Sequence, residues 1–227
     1  MPIPKHDPDV WLFDLDNTLY PAKCNLFAQI DVRIGRYIAD WLKVDVDEAR
    51  RVQKQYWRDH GTSMRGMMSL HGVDPVHYLN YVHDIDYSPV DAHPALVAAI
   101  RSLPGRKFVL TNGDVPHAQA VLARLGGSDL FEVIHDIRAM DYKPKPLRSA
   151  YEGLLGGHGI DPARAVMFDD LDKNLLVPHE MGMTTVHVVA DADYAHAQVE
   201  PWELAPATGP HVHHRTNDLA GFLTALP

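Results

Sequence analysis

The stretch Val10-Trp11-Leu12-Phe13-Asp14-Leu15-Asp16-Asn17-Thr18 constrains this chain most. An unbroken apolar run that stops abruptly at acids reads as a buried strand of a parallel sheet, with its carboxyl end opening into a site. Asp14 and Asp16 are two residues apart, so a regular strand would turn both carboxylates the same way. Carboxylates placed like that repel each other unless a cation or a shared proton lies between them. The bend at Asn17 then takes the chain away from the sheet.

The pattern recurs. Residues 107–110 form an apolar run ending in Thr111-Asn112-Gly113-Asp114, and residues 165–168 one ending in Asp169-Asp170. Residues 131–134 and 184–189 read as further strands, with helices expected at 94–103, 115–125, 146–155 and 217–226. Residues 190–210, rich in Ala, Pro and Asp, read as loop. Strands alternating with helices across short connections predict an α/β fold, a three-layer Rossmann-like parallel sheet. One insertion interrupts it. From residue 25 to 83 no strand appears, and Leu26, Ile30, Ile34, Tyr37, Ile38 and Trp41 recur at helical spacing. A second helix is expected at 45–59, a break at Gly61-Thr62-Ser63, and another helix opening at Asp74-Pro75. The expected division is a core of residues 1–19 and 89–227 with a helical module of residues 20–88.

In an open parallel sheet, ligands bind beyond the carboxyl ends of the strands. Asp14/Asp16, Thr111/Asn112 and Asp169/Asp170 should therefore meet in one crevice. Four acids with no Cys or His among them suit a hard, oxygen-seeking cation, and Mg²⁺ fits because it is commonly shared with a substrate phosphate. Thr111, Asn112 and the backbone near Gly113 can donate to phosphate oxygens. A lysine is still needed against the anion, and Lys143-Pro144-Lys145-Pro146 offers two, one to be held in place and one to point to solvent. These parts make a coherent site for phosphoryl transfer from a small phosphomonoester.

The net charge of −9 argues against a nucleic-acid polymer as partner. No apolar run approaches membrane-spanning length, and residues 1–8 lack the apolar core of a signal peptide. The single cysteine, Cys24, permits no internal disulfide, so a cytoplasmic protein is expected, either monomer or homodimer.

Asp14-x-Asp16-x-Thr18, Thr111-Asn112, Lys143-Pro144-x-Pro146 and Phe168-Asp169-Asp170 resemble, in order and strand context, the four motifs of the haloacid dehalogenase superfamily. The resemblance implies Asp14 as the nucleophile that forms an aspartyl-phosphate and Asp16 as the acid that protonates the leaving alkoxide and then activates water. It implies Thr111 as holder of the transferring group and Lys143 as its counter-charge, with Lys145 a solvated neighbour. It gives Asp14, Asp16 (through its backbone carbonyl), Asp169 and Asp170 to the metal, and makes the helical module a cap. Dehalogenases of the superfamily typically lack the second acid, so a phosphatase is implied. Asp-Asn-Thr-Leu-Tyr and the segment around Tyr56-Trp57 and His60 resemble the pyrimidine 5'-nucleotidase-like branch, which makes Gly61, Thr62, Ser63 and Arg65 the substrate selector. The alternatives are a sugar-phosphate or phosphoglycolate phosphatase, a phosphomutase, or a non-catalytic phosphate-binding protein. Asn174 stands where many members carry a further acid. The His211-Val212-His213-His214 run reads as a late surface strand rather than a metal site, and His187 as a core histidine.

Overall fold

The computed structural model describes residues 8–190 and 209–226. Most of the segment expected as loop at 190–210 lies outside them. Six strands form one sheet: β1 (Val10–Phe13), β2 (Arg106–Leu110), β3 (Val133–His135), β4 (Ala165–Asp169), β5 (Thr184–Val188) and β6 (His214–Thr216). Their order is β3-β2-β1-β4-β5-β6, and every pairing is parallel. β1 sits between β2 and β4 and is buried on both faces, which is why its sequence is apolar throughout rather than alternating.

The two-residue period of β1 feeds two cores. Val10 and Leu12 pack with Phe108, Leu110, Tyr151, Leu154 and Met167 on one face. Trp11 and Phe13 pack with Val109, Val121, Leu122, Val166 and Phe168 on the other. The Phe13 and Phe168 rings stack at 4.6 Å and 5°, locking β1 to β4 just before both strands reach their acids. The flanking helices are α5 (Pro94–Ser102), α6 (Val115–Leu125), α7 (Arg148–His158), α8 (Leu176–Glu180) and α9 (Leu219–Thr224). The three-layer α/β expectation holds.

The insertion folds as α1 (Leu26–Leu42), α2 (Val46–His60), α3 (Ser63–His71) and α4 (Pro75–Val82). Gly61, at φ +85°, ends α2, and Thr62 caps α3 by accepting from the Arg65 N–H at 3.1 Å. The Gly-Thr-Ser break is thus a helix-to-helix corner, and α3 is the element that the break concealed. Its packing is close: a Cβ on Gly66 would lie 2.5 Å from the Tyr56 ring. The Tyr56 hydroxyl reaches His71 Nε2 at 2.7 Å, so this aromatic packs α2 against α3.

Strand and helix edges moved where turns intervene. The third strand is Val133–His135 rather than 131–134. α7 starts at Arg148 because the Leu147 N–H closes a turn onto the Pro144 carbonyl at 2.9 Å. The late strand is His214–Thr216, placed on β5 by the Val186–His214 register.

Candidate active site

The acids leave the sheet side by side but enter different environments. Asp14 continues the ladder for one bond, donating its N–H to the Phe168 carbonyl at 2.9 Å. Its Oδ1 receives the Lys145 ammonium at 2.6 Å and its Oδ2 the Thr18 hydroxyl at 3.1 Å. Lys145 also reaches Asp169 Oδ2 at 2.7 Å and is 1 % exposed. Asp169, wholly buried, has its other oxygen held by Asn174 Nδ2 at 2.9 Å and by the Leu171 N–H at 3.0 Å. Asn174 thus ties the loop after β4 to Asp169.

Lys143 does not take the place expected of it. It lies half-exposed and pairs with Asp141 at 2.8 Å, away from the sheet. Lys145, read from the sequence as its solvated neighbour, is the lysine inside the site. The reason is backbone geometry. Asp141 and Tyr142 both adopt left-handed φ, 53° and 55°, and the Tyr142 N–H bonds back to the Ile137 carbonyl at 2.9 Å. This knuckle spends two residues turning, so Lys145, three residues before α7, arrives over the strand ends. Asn112 then fixes the lysine's backbone, accepting from the Lys145 N–H at 2.8 Å and donating to its carbonyl at 3.3 Å. The Asn112 amide was expected to hold phosphate; its donor and acceptor are turned onto the lysine loop instead.

Asp16 faces another way. Its Oδ1 receives the Tyr20 hydroxyl at 2.6 Å and meets His117 Nε2 at 2.7 Å. The expectation that Asp14 and Asp16 point alike on a strand fails because the strand ends at Phe13 and the chain coils, with the Leu19 N–H bonding to the Leu15 carbonyl at 3.0 Å and Asn17 at φ 61°. His117, on the first turn of α6, is wholly buried, and its ring stacks on His83 at 4.4 Å. His83 Nδ1 contacts Asp114 at 2.9 Å, and Asp114 also caps α6 and meets Arg138 at 3.1 Å. The sequence reading missed His117, His83 and Tyr20. The signal for His117 was its position three residues after Asp114, the helix cap that follows the second apolar strand.

These surroundings separate the two acids electrostatically. Burial pushes the Asp14 carboxyl up to about 7, Lys145 opposing and Asp169 and Asp16 adding to the rise. For Asp16 burial acts the same way, but the charge and hydrogen bond of His117 outweigh it and hold the group below the usual carboxylate range. Burial works against a charged His117, yet Asp16 overrides it and raises the imidazole. Asp170 is driven well up by burial and by repulsion from Asp14 and Asp169. Lys145 is held charged by the two carboxylates it bridges, against its burial.

Asp14, Asp169 and Asp170 each place a carboxylate oxygen within 4.8 Å of the others, the one such acid group among the described residues. Three hard oxygen donors, with Asp170 carrying a strongly disfavoured charge, fit a divalent cation. Three donors already crowd the Asp169 oxygens (Lys145, Asn174 and the Leu171 N–H), against two on Asp14 (Lys145 and Thr18), so Asp14 and Asp170 are the better-placed carboxylates to bind it. The Asp16 side chain lies outside this group.

Above the acids lies a cleft of about 490 Å³ between the sheet ends and the inserted helices. Asp14, Asp16, Thr111, Asn112, Gly113 and Asp170 line its floor, and Gly61, Thr62 and Ser63 its upper wall. The Ser63 hydroxyl is turned onto the Gln53 carbonyl at 2.9 Å. Arg65 borders an adjoining surface hollow with Trp57 and Lys173 rather than the cleft itself. A Cβ on Gly113 would lie 3.1 Å from the His117 ring, 3.3 Å from Thr111 Oγ1 and 3.8 Å from Asp16 Oδ2, so glycine keeps this floor open. His187 is buried as expected and bonds the Asp170 carbonyl at 2.9 Å, while its Nδ1 lacks a partner. His213 Nδ1 is taken by Thr185 at 2.8 Å. No helix among the described residues is long and apolar enough to cross a membrane.

Known proteins resemble this chain in sequence or in fold. Phosphate metabolism protein 8 of Saccharomyces cerevisiae is 27% identical over 209 residues, covering 83% of this chain and 65% of the yeast protein. The chain thus spans about two thirds of that relative's length. CbbY from Rhodobacter sphaeroides, solved in complex with phosphate, superposes with a TM-score of 0.63 at 16% identity, covering 94% of this chain and 95% of that one. A HAD phosphatase from Thermococcus onnurineus superposes with a TM-score of 0.61 at 16% identity, covering 95% and 96%. The sequence profile of the haloacid dehalogenase-like hydrolases matches residues 8–177, and with its acids, buried lysine and sheet order in place the chain belongs to that family.

Proposed function

We propose that the protein is a Mg²⁺-dependent phosphatase of small phosphomonoesters, acting through an aspartyl-phosphate on Asp14. The observation that carries this reading is the second acid. Asp16 stands beside the nucleophile with one oxygen tied to Tyr20 and His117 and the other, Oδ2, near Gly113 on the cleft floor. Halide departure needs no proton, whereas an alkoxide leaving group does. In this reading the negative charge of the bound phosphate offsets His117 and lets Asp16 take up a proton on Oδ2 as substrate binds. The Asp14 carboxylate then attacks phosphorus as the ester P–O bond breaks, and Asp16 gives that proton to the departing oxygen. Asp16 then takes a proton from the water that attacks the acyl-phosphate, releasing phosphate and restoring both acids. Lys145 keeps Asp14 oriented and offsets charge on the transferring group, and Thr111 lines the same floor. A divalent cation held by Asp14 and Asp170, with the Asp16 backbone carbonyl, would withdraw charge from the phosphoryl oxygens.

For the substrate, a pyrimidine nucleoside 5'-monophosphate is favoured, its nucleoside being the leaving alcohol. Ile30, Ile34, Met64, Leu79 and Val82 give the cleft an apolar wall suited to the flat face of a base. Asp31, Gln53 and Lys54 supply polar groups beside it. A sugar phosphate or phosphoglycolate offers little apolar surface for that wall. Turnover of UMP, CMP, purine monophosphates, sugar phosphates and phosphoglycolate with Mg²⁺, repeated with Asp14→Asn, tests the proposal. UMP and CMP should lead the panel, and the substitution should abolish turnover. Equal or lower turnover of UMP and CMP than of the sugar phosphates overturns the nucleotide assignment, and turnover surviving Asp14→Asn overturns the nucleophile.

A further inference from the structure

Asp16 is the one catalytic acid whose partners come from outside the four sequence motifs. Its Oδ1 is contacted from two sides, by the Tyr20 hydroxyl at 2.6 Å and His117 Nε2 at 2.7 Å. Two hydrogen bonds to one oxygen fix the plane of a carboxylate, leaving Oδ2 as the oxygen directed past Gly113. Both partners are themselves immobilised. Tyr20 is 1 % exposed and His117 is wholly buried. His117 Nδ1 is engaged by the Tyr87 hydroxyl at 3.0 Å, which also bonds the His83 carbonyl at 3.1 Å, and the His117 ring stacks on His83. Tyr20 lies where the chain leaves the core for the inserted helices, and His83 and Tyr87 lie where it returns. The outgoing connection thus touches Oδ1 of Asp16 directly through Tyr20, and the returning one supports His117, which contacts the same oxygen from α6.

We propose that His117 and Tyr20 are positioning residues for proton transfer, clamping Oδ1 of Asp16 so that Oδ2 faces the ester oxygen of the bound substrate. This rests on the phosphatase reading and adds to it a reason for two buried polar side chains that no step of the chemistry otherwise needs. A carboxylate free to rotate would still sit in the site but would spend part of its time aimed away from the leaving oxygen, and small misplacements of a reacting group are costly.

The test compares two leaving groups on the Mg²⁺-loaded protein. Departure of 4-nitrophenolate needs little protonation, whereas departure of an alkoxide from a nucleoside 5'-monophosphate needs it fully. In single-turnover measurements His117→Ala and Tyr20→Phe should lower the rate of alcohol release from the alkyl ester by about 10- to 100-fold, part of the full general-acid contribution, while changing the rate of nitrophenolate release by less than about 3-fold. The later hydrolysis of the acyl-phosphate, in which Asp16 is the base, is common to both esters and is not read in this phase. KM should hold within about 3-fold, since the clamp does not touch the phosphate. His117→Gln, whose amide N–H can reach the same oxygen, should recover part of the alkyl turnover. Tyr20→Phe removes one oxygen atom only, so it reads the clamp even if His117→Ala proves unstable. Equal losses on both esters, no loss on either, or a His117→Gln variant no better than Ala overturns the clamp. Asp16→Asn is the control. If it too fails to discriminate between the esters in that first phase, the acid role of Asp16 fails, and the phosphatase reading with it. If it discriminates while Tyr20→Phe and His117→Ala do not, only the clamp fails.

Discussion

The ammonium of Lys145 lies 2.6 Å from Asp14 Oδ1, whereas Lys143, two residues earlier in the same Lys-Pro-Lys-Pro run, pairs with Asp141 in solvent. Two chemically identical side chains are thus sorted by a backbone knuckle into opposite environments. Removing them should give opposite results. Lys145→Met leaves Asp14 and Asp169 without their buried counter-charge, and kcat should fall by roughly 10²-fold or more. Breaking such a buried pair costs about 3–5 kcal/mol before protonation of the acids relieves part of it. Lys143→Met removes one exposed ion pair and should move stability by less than about 0.5 kcal/mol and kcat by less than about 2-fold. Urea unfolding and steady-state kinetics on both variants check this, and a larger kinetic loss for Lys143 would reverse the assignment.

The lysine sorting shows where sequence reasoning stops. The sheet was legible because burial on both faces writes itself as unbroken apolar runs, and strand ends are where such runs meet acids. Asp14, Asp16, Thr111, Asp169 and Asp170 all follow from that rule and all line or approach the cleft floor. Lys145 did not follow, because either Lys-Pro pair satisfies the local chemistry and only the left-handed Asp141-Tyr142 pair sets the register. His117 was hidden for another reason. It sits on an apolar helix face among packing residues, and its place after the Asp114 cap marks the helix start but not its partner Asp16, 101 residues away.

Asn112 acts through the lysine. Its two hydrogen bonds to the Lys145 backbone are each worth about 0.5–1.5 kcal/mol. Asn112→Leu should therefore cost roughly 1–3 kcal/mol and reduce kcat by about 10-fold as the lysine loses its register. KM should change less than kcat, because the amide is turned away from substrate. A variant that raises KM while preserving kcat would return Asn112 to direct phosphate contact.

Gly113 tests the floor of the cleft. Its φ is not left-handed, so alanine is permitted by the backbone and excluded only by contact with the His117 ring at 3.1 Å and Thr111 Oγ1 at 3.3 Å. Gly113→Ala must displace one of them by a few tenths of an ångström. Stability should change by about 1 kcal/mol in either direction, whereas kcat should fall by roughly 10-fold or more. Thermal unfolding alongside kinetics separates the two, and wild-type kcat would show that nothing must approach this position closely.

The Lys173 ammonium lies over the Trp57 ring at 3.4 Å from its centroid, joining the loop after β4 to α2 of the inserted module. A cation–π contact of this kind is worth about 0.5–2 kcal/mol. It acts across the mouth of the cleft, so Lys173→Gln should raise KM about 2- to 10-fold and leave kcat within about 2-fold. Trp57→Leu should do the same, and the double variant should add little to either, as coupling through one contact requires. Fully additive effects would show that the two side chains act separately.

The buried histidines predict a two-sided pH profile of stability, measured as the chemical unfolding midpoint in the presence of a chelator. Burial lowers the His83 pKa, the Asp114 hydrogen bond offsetting it only in part. Below the ordinary histidine value of about 6.5 the unfolded chain takes up a proton that folded His83 refuses, so this group removes stability as pH falls. Asp114 acts in the same direction lower down: burial opposes it, but His83 and the helix N–H hold its pKa below the usual value, and its contribution is lost as pH falls through the folded pKa. His117 has the opposite sign. Asp16 outweighs burial and raises its pKa, so its contribution is complete below about 6.5 and is lost as pH rises through the higher folded value. Asp14, pushed up to about 7, also loses stability for the fold as pH rises from the ordinary carboxylate range towards that value. It is common to every variant and largely cancels in differences between them. His83→Asn should therefore flatten the profile on the acid side between about pH 6.5 and 5 and leave the alkaline side unchanged. His117→Gln should flatten the alkaline side above about pH 6.5 and leave the acid loss of His83 in place. A single slope altered equally by both substitutions would mean that the stacked rings titrate as one unit rather than as two groups of opposite sign.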